Sequence, residues 1–410
     1  MNQFNFLEVF MPVANAIRDS LGSQSFIRKM FEEGNLLKKQ YGAENVFDFS
    51  LGNPDLEPPP AFNKALLKLA EENRKGSHGY MNNAGFPEVR EVLAKKASAE
   101  HGVSIDGSHV VMSVGAAGGL NVVLKSILNP GDEVIVSKPY FMEYRPYAAN
   151  HGGRIVEVDA LGDFNLDVDA IKAKLSSQTA AVIINSPHNP TGRIYPAETL
   201  DRLTKVLLEH GKNCGRKPYL LSDEPYREIV YDGALVPPVL CRYSESIVVS
   251  SYSKSLSLPG ERIGYIAVSP DIEDRQTLIG AFTFATRILG YVNAPALMQR
   301  IVAELISARV DVDIYAGRRA AFTEILDEAG IEYNKPEGAF YLFCKVPPRR
   351  QPPNGDDLAF VDQLKKYLIL GVPGSGFGKP GWLRFAYCVD EKIIRASRDA
   401  FKKAMDEWGK

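Results

Sequence analysis

Between residues 108 and 269, short apolar runs alternate with longer stretches of helical spacing. The runs fall at 110–114, 133–137, 154–158, 180–185, 219–222, 247–250 and 264–268. Most are continuously apolar rather than alternating, which is the pattern of strands buried on both faces. Between several of them lie helical stretches such as 118–128 and 197–210. The order predicts an α/β large domain, a mostly parallel seven-stranded sheet between helices. Sheets of this kind bind ligands at the carboxyl ends of their strands.

The pattern then changes. Helices are expected at 294–305, 310–329 and 356–367, with a last one from Asp390, and short strands at 340–345 and 382–386. This predicts a smaller α+β domain over 294–410, a large domain over 51–293, and an N-terminal segment 1–50 that joins the small domain. Pro347, Pro348, Pro352 and Pro353, with Arg349 and Arg350, mark an exposed loop.

Composition narrows the function classes. The 410 residues are 45% hydrophobic and 24% charged, enough for a large core in an ordinary globular protein. The net charge is −2 and no block of like charge stands out, which argues against nucleic acid or an anionic membrane as partner. Cys214, Cys241, Cys344 and Cys388 form no close pair, so neither a zinc knuckle nor a redox CxxC motif is present, and no metal is expected. Scattered cysteines fit a reducing compartment. Met1 to Leu21 has no basic start and is interrupted by Glu8, Asn15, Arg18 and Asp19, so neither a signal peptide nor a membrane span is expected. The compartment these features predict is the cytoplasm.

Three segments carry the chemistry. Ser250-Ser251-Tyr252-Ser253-Lys254 and Pro259-Gly260-Glu261-Arg262-Ile263-Gly264 crowd hydroxyls, a lysine and an arginine between two strands. Hydroxyls and a guanidinium are good phosphate ligands. A lysine beside a second cation has a lowered pKa and attacks carbonyls. Alone, such a run is usually a solvated loop. Asp223, in Leu220-Leu221-Ser222-Asp223-Glu224-Pro225-Tyr226, puts an acid at the end of an apolar strand; alone it would be a cap. Asn189, in Ile184-Asn185-Ser186-Pro187-His188-Asn189-Pro190-Thr191-Gly192, follows another such strand; alone it is turn chemistry, and His188 reads as a loop residue. Together they form one set. Lys254 supplies an amine for a Schiff base, Asp223 faces a ring nitrogen, Asn189 and Tyr226 face a ring hydroxyl, and Ser251 and Arg262 hold a phosphate. That is the set pyridoxal 5′-phosphate requires.

In this order and spacing, Asn189-Pro190-Thr191-Gly192, Asp223-Glu224-Pro225-Tyr226, Ser251-Tyr252-Ser253-Lys254 and Arg262-Ile263-Gly264 resemble the class I/II aminotransferases, of the fold type I pyridoxal-phosphate enzymes. The resemblance runs from about Leu51 to Ala386. It implies transfer of an amino group between an L-amino acid and a 2-oxo acid, with Lys254, Asp223 and Tyr226 as catalytic residues. Ser113-Val114-Gly115-Ala116-Ala117-Gly118-Gly119-Leu120 looks like the family's phosphate turn, so the amides of Ala116 and Ala117 would meet the phosphate at a helix N-terminus. Phe141 would stack on the cofactor ring. Tyr80, in Gly79-Tyr80-Met81-Asn82-Asn83-Ala84-Gly85, would reach the phosphate of a neighbouring subunit, which implies a homodimer with shared sites.

On the substrate side, the resemblance assigns the Gly52 backbone, Asn189 and Arg384. Arg384 lies in Trp382-Leu383-Arg384-Phe385-Ala386 and would take the α-carboxylate, for which a guanidinium fork is suited and a lysine is not. Two departures bear on specificity. Some aspartate-specific members carry a lysine in the phosphate turn, where this chain has Ala117. Others use an arginine from the partner subunit shortly before an Asn-Pro-type segment. Arg287 precedes Tyr291-Val292-Asn293-Ala294-Pro295 but lies one position from that arginine, and it is a candidate for a substrate side-chain carboxylate. Aspartate is therefore a candidate donor.

Two rivals follow from the same residues. A β-lyase or synthase of this fold would use the same lysine, aspartate and arginine. A pyridoxal-phosphate-sensing regulator would need a DNA-binding region, yet only some fifty residues without a basic patch precede Gly52. No GxGxxG follows the first strand, against a dinucleotide site.

Overall fold

A computed structural model describes residues 13–14, 17–18, 26–349 and 355–408. The expectation for Met1 to Leu21 lies mostly outside these residues, as do Arg350, Pro352 and Pro353 of the proline-rich loop.

The described strands are β1 (Phe47–Asp48), β2 (Val110–Ser113), β3 (Glu133–Lys138), β4 (Arg154–Asp159), β5 (Thr179–Asn185), β6 (Tyr219–Asp223) and β7 (Ser246–Ser251). They continue with β8 (Gly264–Val268), β9 (Tyr333–Asn334), β10 (Tyr341–Lys345), β11 (Ile369–Leu370), β12 (Val372–Pro373) and β13 (Trp382–Ala386). Strands β2 to β8 form the expected seven-stranded sheet, in the order β2-β8-β7-β6-β5-β3-β4. Every pair is parallel except those made by β8, which runs against β2 and β7.

The continuous apolar runs have the meaning the pattern suggests. All residues of β5 and β8 are buried. Alternate residues serve opposite faces. Val136, Ile183, Leu221 and Val249 pack with the side of helices Gly115–Ile127 and Arg275–Ile288. Ile135, Val182, Ile184 and Leu220 pack with helix Ala197–Cys214. Each such side chain gains about 1.5–3 kcal/mol on full burial, so a one-residue slip in register would cost the whole row.

The smaller sheet is antiparallel, in the order β12-β13-β10-β9, while β1 pairs in parallel with β11. Just after β1, Phe49 packs on Phe322, Phe385 and Phe401. Two expectations need correction. Helix Ala296–Glu304 falls within the span expected to be the small domain. Its Met298, Ile301 and Val302 instead pack with Val110 and Tyr265 of the large one. Leu305 still belongs to that core and Val310 to the other, so the chain crosses between them. Helical spacing tells that one face is buried but not against which core. The single helix expected from Asp390 is two, Glu391–Ala396 and Arg398–Trp408, broken at the buried Ser397.

The helix expected at 118–128 begins earlier, at Gly115. Its glycines hide that start, because glycine has poor helix propensity. They are needed for close packing: a Cβ on Gly119 would lie 2.7 Å from Val249 Cγ1. Gly264, first residue of β8, is tighter still. A Cβ there would lie 2.4 Å from the Ser250 carbonyl oxygen and 3.0 Å from the Gly115 carbonyl carbon, both backbone atoms. Gly264→Ala should therefore destabilise the fold by about 1–3 kcal/mol through overpacking. A urea unfolding curve reads this as a lowered midpoint, and an unchanged midpoint would show that the two backbones can part freely.

Among the described residues, no helix is long and apolar enough to cross a membrane.

Candidate active site

The register of the large sheet brings the chemistry to one edge. Asn185 pairs with Asp223, Asp223 with Val249, and Ser251 with Gly264. Because β8 is antiparallel, its first residue lies at this edge, which delivers Arg262 from just before it. Ser113 of β2 also pairs with Gly264, so helix Gly115–Ile127 starts there too. Arg262 adopts φ +51°, and a Cβ on Gly115 would lie 2.7 Å from its Nη2. The turn thus presses its backbone against the guanidinium.

A cleft of about 270 Å³ opens at this edge. Eleven of the residues singled out in the sequence line it: Gly52, Ala116, Ala117, Phe141, Asn189, Asp223, Tyr226, Ser251, Lys254, Arg262 and Arg384. Tyr80 and Arg287 do not. Tyr80 is 93% exposed, and Arg287 is exposed with its guanidinium over the Phe284 ring.

Lys254 reaches the cleft floor and donates from Nζ to the Gly52 carbonyl at 2.7 Å. Burial lowers its pKa to about 8, and the charges of Arg384 and Arg262 push the same way. A sizeable fraction of the amine is therefore neutral near physiological pH, which a nucleophile requires.

Asp223 and Glu224 are adjacent buried acids with opposite environments. Glu224 turns to the far side, where Arg227 at 2.9 Å and Ser222 at 2.6 Å meet it, with His101 at 3.4 Å. Burial alone would raise its pKa, but Arg227 and His101 hold it at about 2. Asp223 has no cation. Its Oδ2 accepts from Tyr144 Oη at 2.6 Å, and Asn185 Nδ2 lies 3.4 Å away. Its Oδ1 is buried without a hydrogen-bond partner among the described residues. Burial pushes its pKa up to about 7, with the Tyr144 hydrogen bond opposing and Glu224 adding to the rise.

At the small-domain side, Arg384 on β13 is 2% exposed. Nη1 donates to Asn189 Oδ1 at 3.0 Å and Nη2 to the Ser50 carbonyl at 2.6 Å. The guanidinium sits 4.5 Å from the Tyr341 ring centroid and 4.9 Å from that of Phe377. Tyr341 shares a 2.7 Å hydrogen bond with Tyr226. His188 is buried against Thr191, and burial lowers its pKa to about 3, so it is a neutral structural residue of the turn.

Of the lining residues without a role in the sequence reading, those with polar side chains are Asn185, Tyr147, Ser253 and Tyr341. Tyr144, behind the cleft, carried none either. Asn185 had the signal that Asp223 had, a polar residue closing an apolar strand. Tyr341 lies near the start of the strand expected at 340–345, where no polar pattern marks it. Tyr144 and Tyr147 look like core aromatics, since one turn of a short helix gives no pattern.

Asp223 also makes stability depend on pH. Its folded pKa, about 7, lies above its ordinary value of 3.8. Its contribution is therefore fully present below about pH 4 and is lost as pH rises through 7. In cofactor-free protein, Asp223→Asn should flatten that fall. Urea midpoints of wild type and variant across pH 4–8 test this, and parallel profiles would refute the assignment.

The chain matches the family model "Aminotransferase class I and II" over residues 44–400. It is 32% identical to the probable aspartate/prephenate aminotransferase of Aquifex aeolicus, covering 88% of this chain and 92% of that protein. It is 29% identical to the aspartate/prephenate aminotransferase of Thermus thermophilus, covering 86% and 89%. Among solved structures, an aminotransferase from Eubacterium rectale superposes with a TM-score of 0.92, at 39% identity over 97% of this chain and 100% of that one. The aspartate aminotransferase of Thermus thermophilus with maleate gives 0.85, at 26% identity over 96% and 100%. With this match over most of its length, and with an amine, a buried acid and a guanidinium converging on one strand-edge cleft, the chain belongs to the class I and II aminotransferases, which are pyridoxal-phosphate-dependent.

Proposed function

We propose that the cleft holds pyridoxal phosphate on Lys254 and exchanges amino groups between L-amino acids and 2-oxo acids, with aspartate among the donors. The observation that carries this reading is the unpaired, buried Oδ1 of Asp223 in the cleft that also contains Lys254. A buried carboxylate oxygen without a partner is costly, and a protonated pyridine nitrogen is the partner it lacks.

The rest of the donor set fits the same group. Ser251, Arg262 and the first amides of helix Gly115–Ile127, at Ala116 and Ala117, would hold the phosphate. Asn189 and Tyr226 would face the ring hydroxyl, and Phe141 would cover the ring. When bound, the cofactor supplies an electron sink for the carbanion at the substrate α-carbon. Lys254, with part of its amine neutral at physiological pH, takes and returns the α-proton. Asp223 stays ionised opposite the ring nitrogen. Arg384 fixes the α-carboxylate, with Tyr341 and Phe377 flanking the guanidinium so that it cannot swing away. The Gly52 backbone meets the same substrate.

Aspartate is supported by the names of the Aquifex and Thermus relatives. A side-chain carboxylate would need a further cation. Among the described residues, Lys254, Arg262 and Arg384 are the cations lining the cleft, and all three already have roles. Arg287 and the exposed Tyr80 would then act from a second subunit, which is why we also propose a homodimer. The proposed setting is the cytoplasm.

Added singly without any oxo acid, L-aspartate should bleach the visible band of the loaded enzyme and release one equivalent of oxaloacetate. Release of ammonia with the band intact would instead favour a lyase. Lys254→Ala should show neither a visible band nor turnover; normal transamination by that variant would refute its role. Arg384→Lys should raise KM for the amino donor by about 10- to 100-fold, the loss expected for hydrogen bonds to a charged group. An unchanged KM would place the α-carboxylate elsewhere.

A further inference from the structure

Tyr144 lies outside the cleft lining, yet it touches two residues that the proposed function places against the cofactor. Its side chain is fully buried. The hydroxyl donates to Asp223 Oδ2 at 2.6 Å. The ring meets Phe141 edge-on, with centroids 5.7 Å apart and planes at 87°. On another side Tyr140 stacks at 6.4 Å with planes 9° apart, and the Tyr140 hydroxyl is itself fixed by Glu157 at 2.7 Å. Tyr144 therefore has one available position, and its hydroxyl one available acceptor.

The consequence lies in the two oxygens of Asp223. Oδ2 is engaged by Tyr144, while Oδ1 remains buried and unpaired in the same carboxylate. A carboxylate rotates about its terminal torsion at little cost unless one oxygen is tied. With the phenol in place, only one oxygen is left free to take a ring nitrogen.

We propose that Tyr144 is a positioning residue of the active site. Its hydroxyl fixes Asp223 through Oδ2, favours the ionised carboxylate and keeps Oδ1 for the ring nitrogen, while its ring sets the tilt of Phe141. The inference rests on the reading of Asp223 given above, but the tyrosine–aspartate coupling can be measured without cofactor. The ionisable groups facing Asp223 are Glu224 on its own strand end, Tyr144 and Tyr147 from the segment after β3, and Tyr226 beyond β6. Lys254 and Arg262 line the same cleft. Glu224 is occupied by Arg227, so Tyr144 is the group that donates a short hydrogen bond to this acid.

The test is the titration of the Asp223 carboxyl, read by carbon NMR as the signal that Asp223→Asn removes. In cofactor-free Tyr144→Phe, the midpoint should rise by about one pH unit, the size of one hydrogen bond to a charged group. Tyr144→3-fluorotyrosine, which fills nearly the same space with a more acidic phenol, should lower it, so a folding defect in the phenylalanine variant leaves the question decidable. In the loaded enzyme, nitrogen NMR of a labelled cofactor should show the shared proton displaced from the ring nitrogen toward Asp223 in Tyr144→Phe relative to wild type. Because the coupling runs through Asp223, that shift should vanish in an Asp223→Asn background. Identical carboxyl titrations in wild type and both Tyr144 variants would overturn the proposal. If the carboxyl shifts but the ring nitrogen of the wild-type enzyme is already unprotonated, the tyrosine–aspartate coupling stands and the assignment of Asp223 to the ring fails.

Discussion

A buried carboxylate with one unpaired oxygen is an expensive feature, and the large domain is arranged around it. Asp223 closes β6, the middle strand of the seven, where its Oδ1 is buried without a hydrogen-bond partner among the described residues. Its neighbour Glu224 shows what the fold does with an acid that must be settled, giving it Arg227, His101 and Ser222. Asp223 receives one phenol and one distant amide, enough to hold it still and too little to satisfy it. Stability is given up at this position to leave an acceptor waiting, as strained functional sites commonly do.

The sheet explains why the other groups arrive at the same place. Strands that run in parallel end on one edge, so Asn185, Asp223 and Ser251 stand in a row. The antiparallel β8 adds what a parallel strand could not, an arginine entering from its N-terminal side. The segment at 50–52 then ties the two domains together over this edge. The carbonyls of Ser50, Leu51 and Gly52 accept from Arg384, Cys388 and Lys254 in turn. Any ligand that takes Arg384 Nη2 or Lys254 Nζ must displace a carbonyl of this strap. On the proposed reading, cofactor attachment to Lys254 and substrate binding at Arg384 would both be felt by the same three residues.

Much of this was legible in the sequence, for a physical reason. Two-sided burial makes strands continuously apolar, so all seven large-sheet strands stood out, and the polar residue ending each run marked the chemical edge. That signal found Asp223, Ser251 and Lys254, and it was present but unread at Asn185. What stayed hidden depends on packing between segments distant in sequence. Helix Ala296–Glu304 was placed in the wrong core because its spacing shows a buried face but not its partner. Tyr144 meets Asp223 across 79 positions of chain, which no local pattern reports. Gly115, outside the helix expected at 118–128, and Gly119, inside it, are explained only by the close approach of Arg262 and Val249.

Lys254 is the proposed attachment point of the cofactor, and peptide mapping after chemical trapping tests this. The enzyme loaded with pyridoxal phosphate is treated with borohydride to fix any lysine–cofactor linkage, digested, and its peptides weighed and sequenced. A single peptide, spanning Ser251 to Arg262, should carry the added phosphopyridoxyl mass on Lys254. The same mass on any other lysine, or on none, would contradict it.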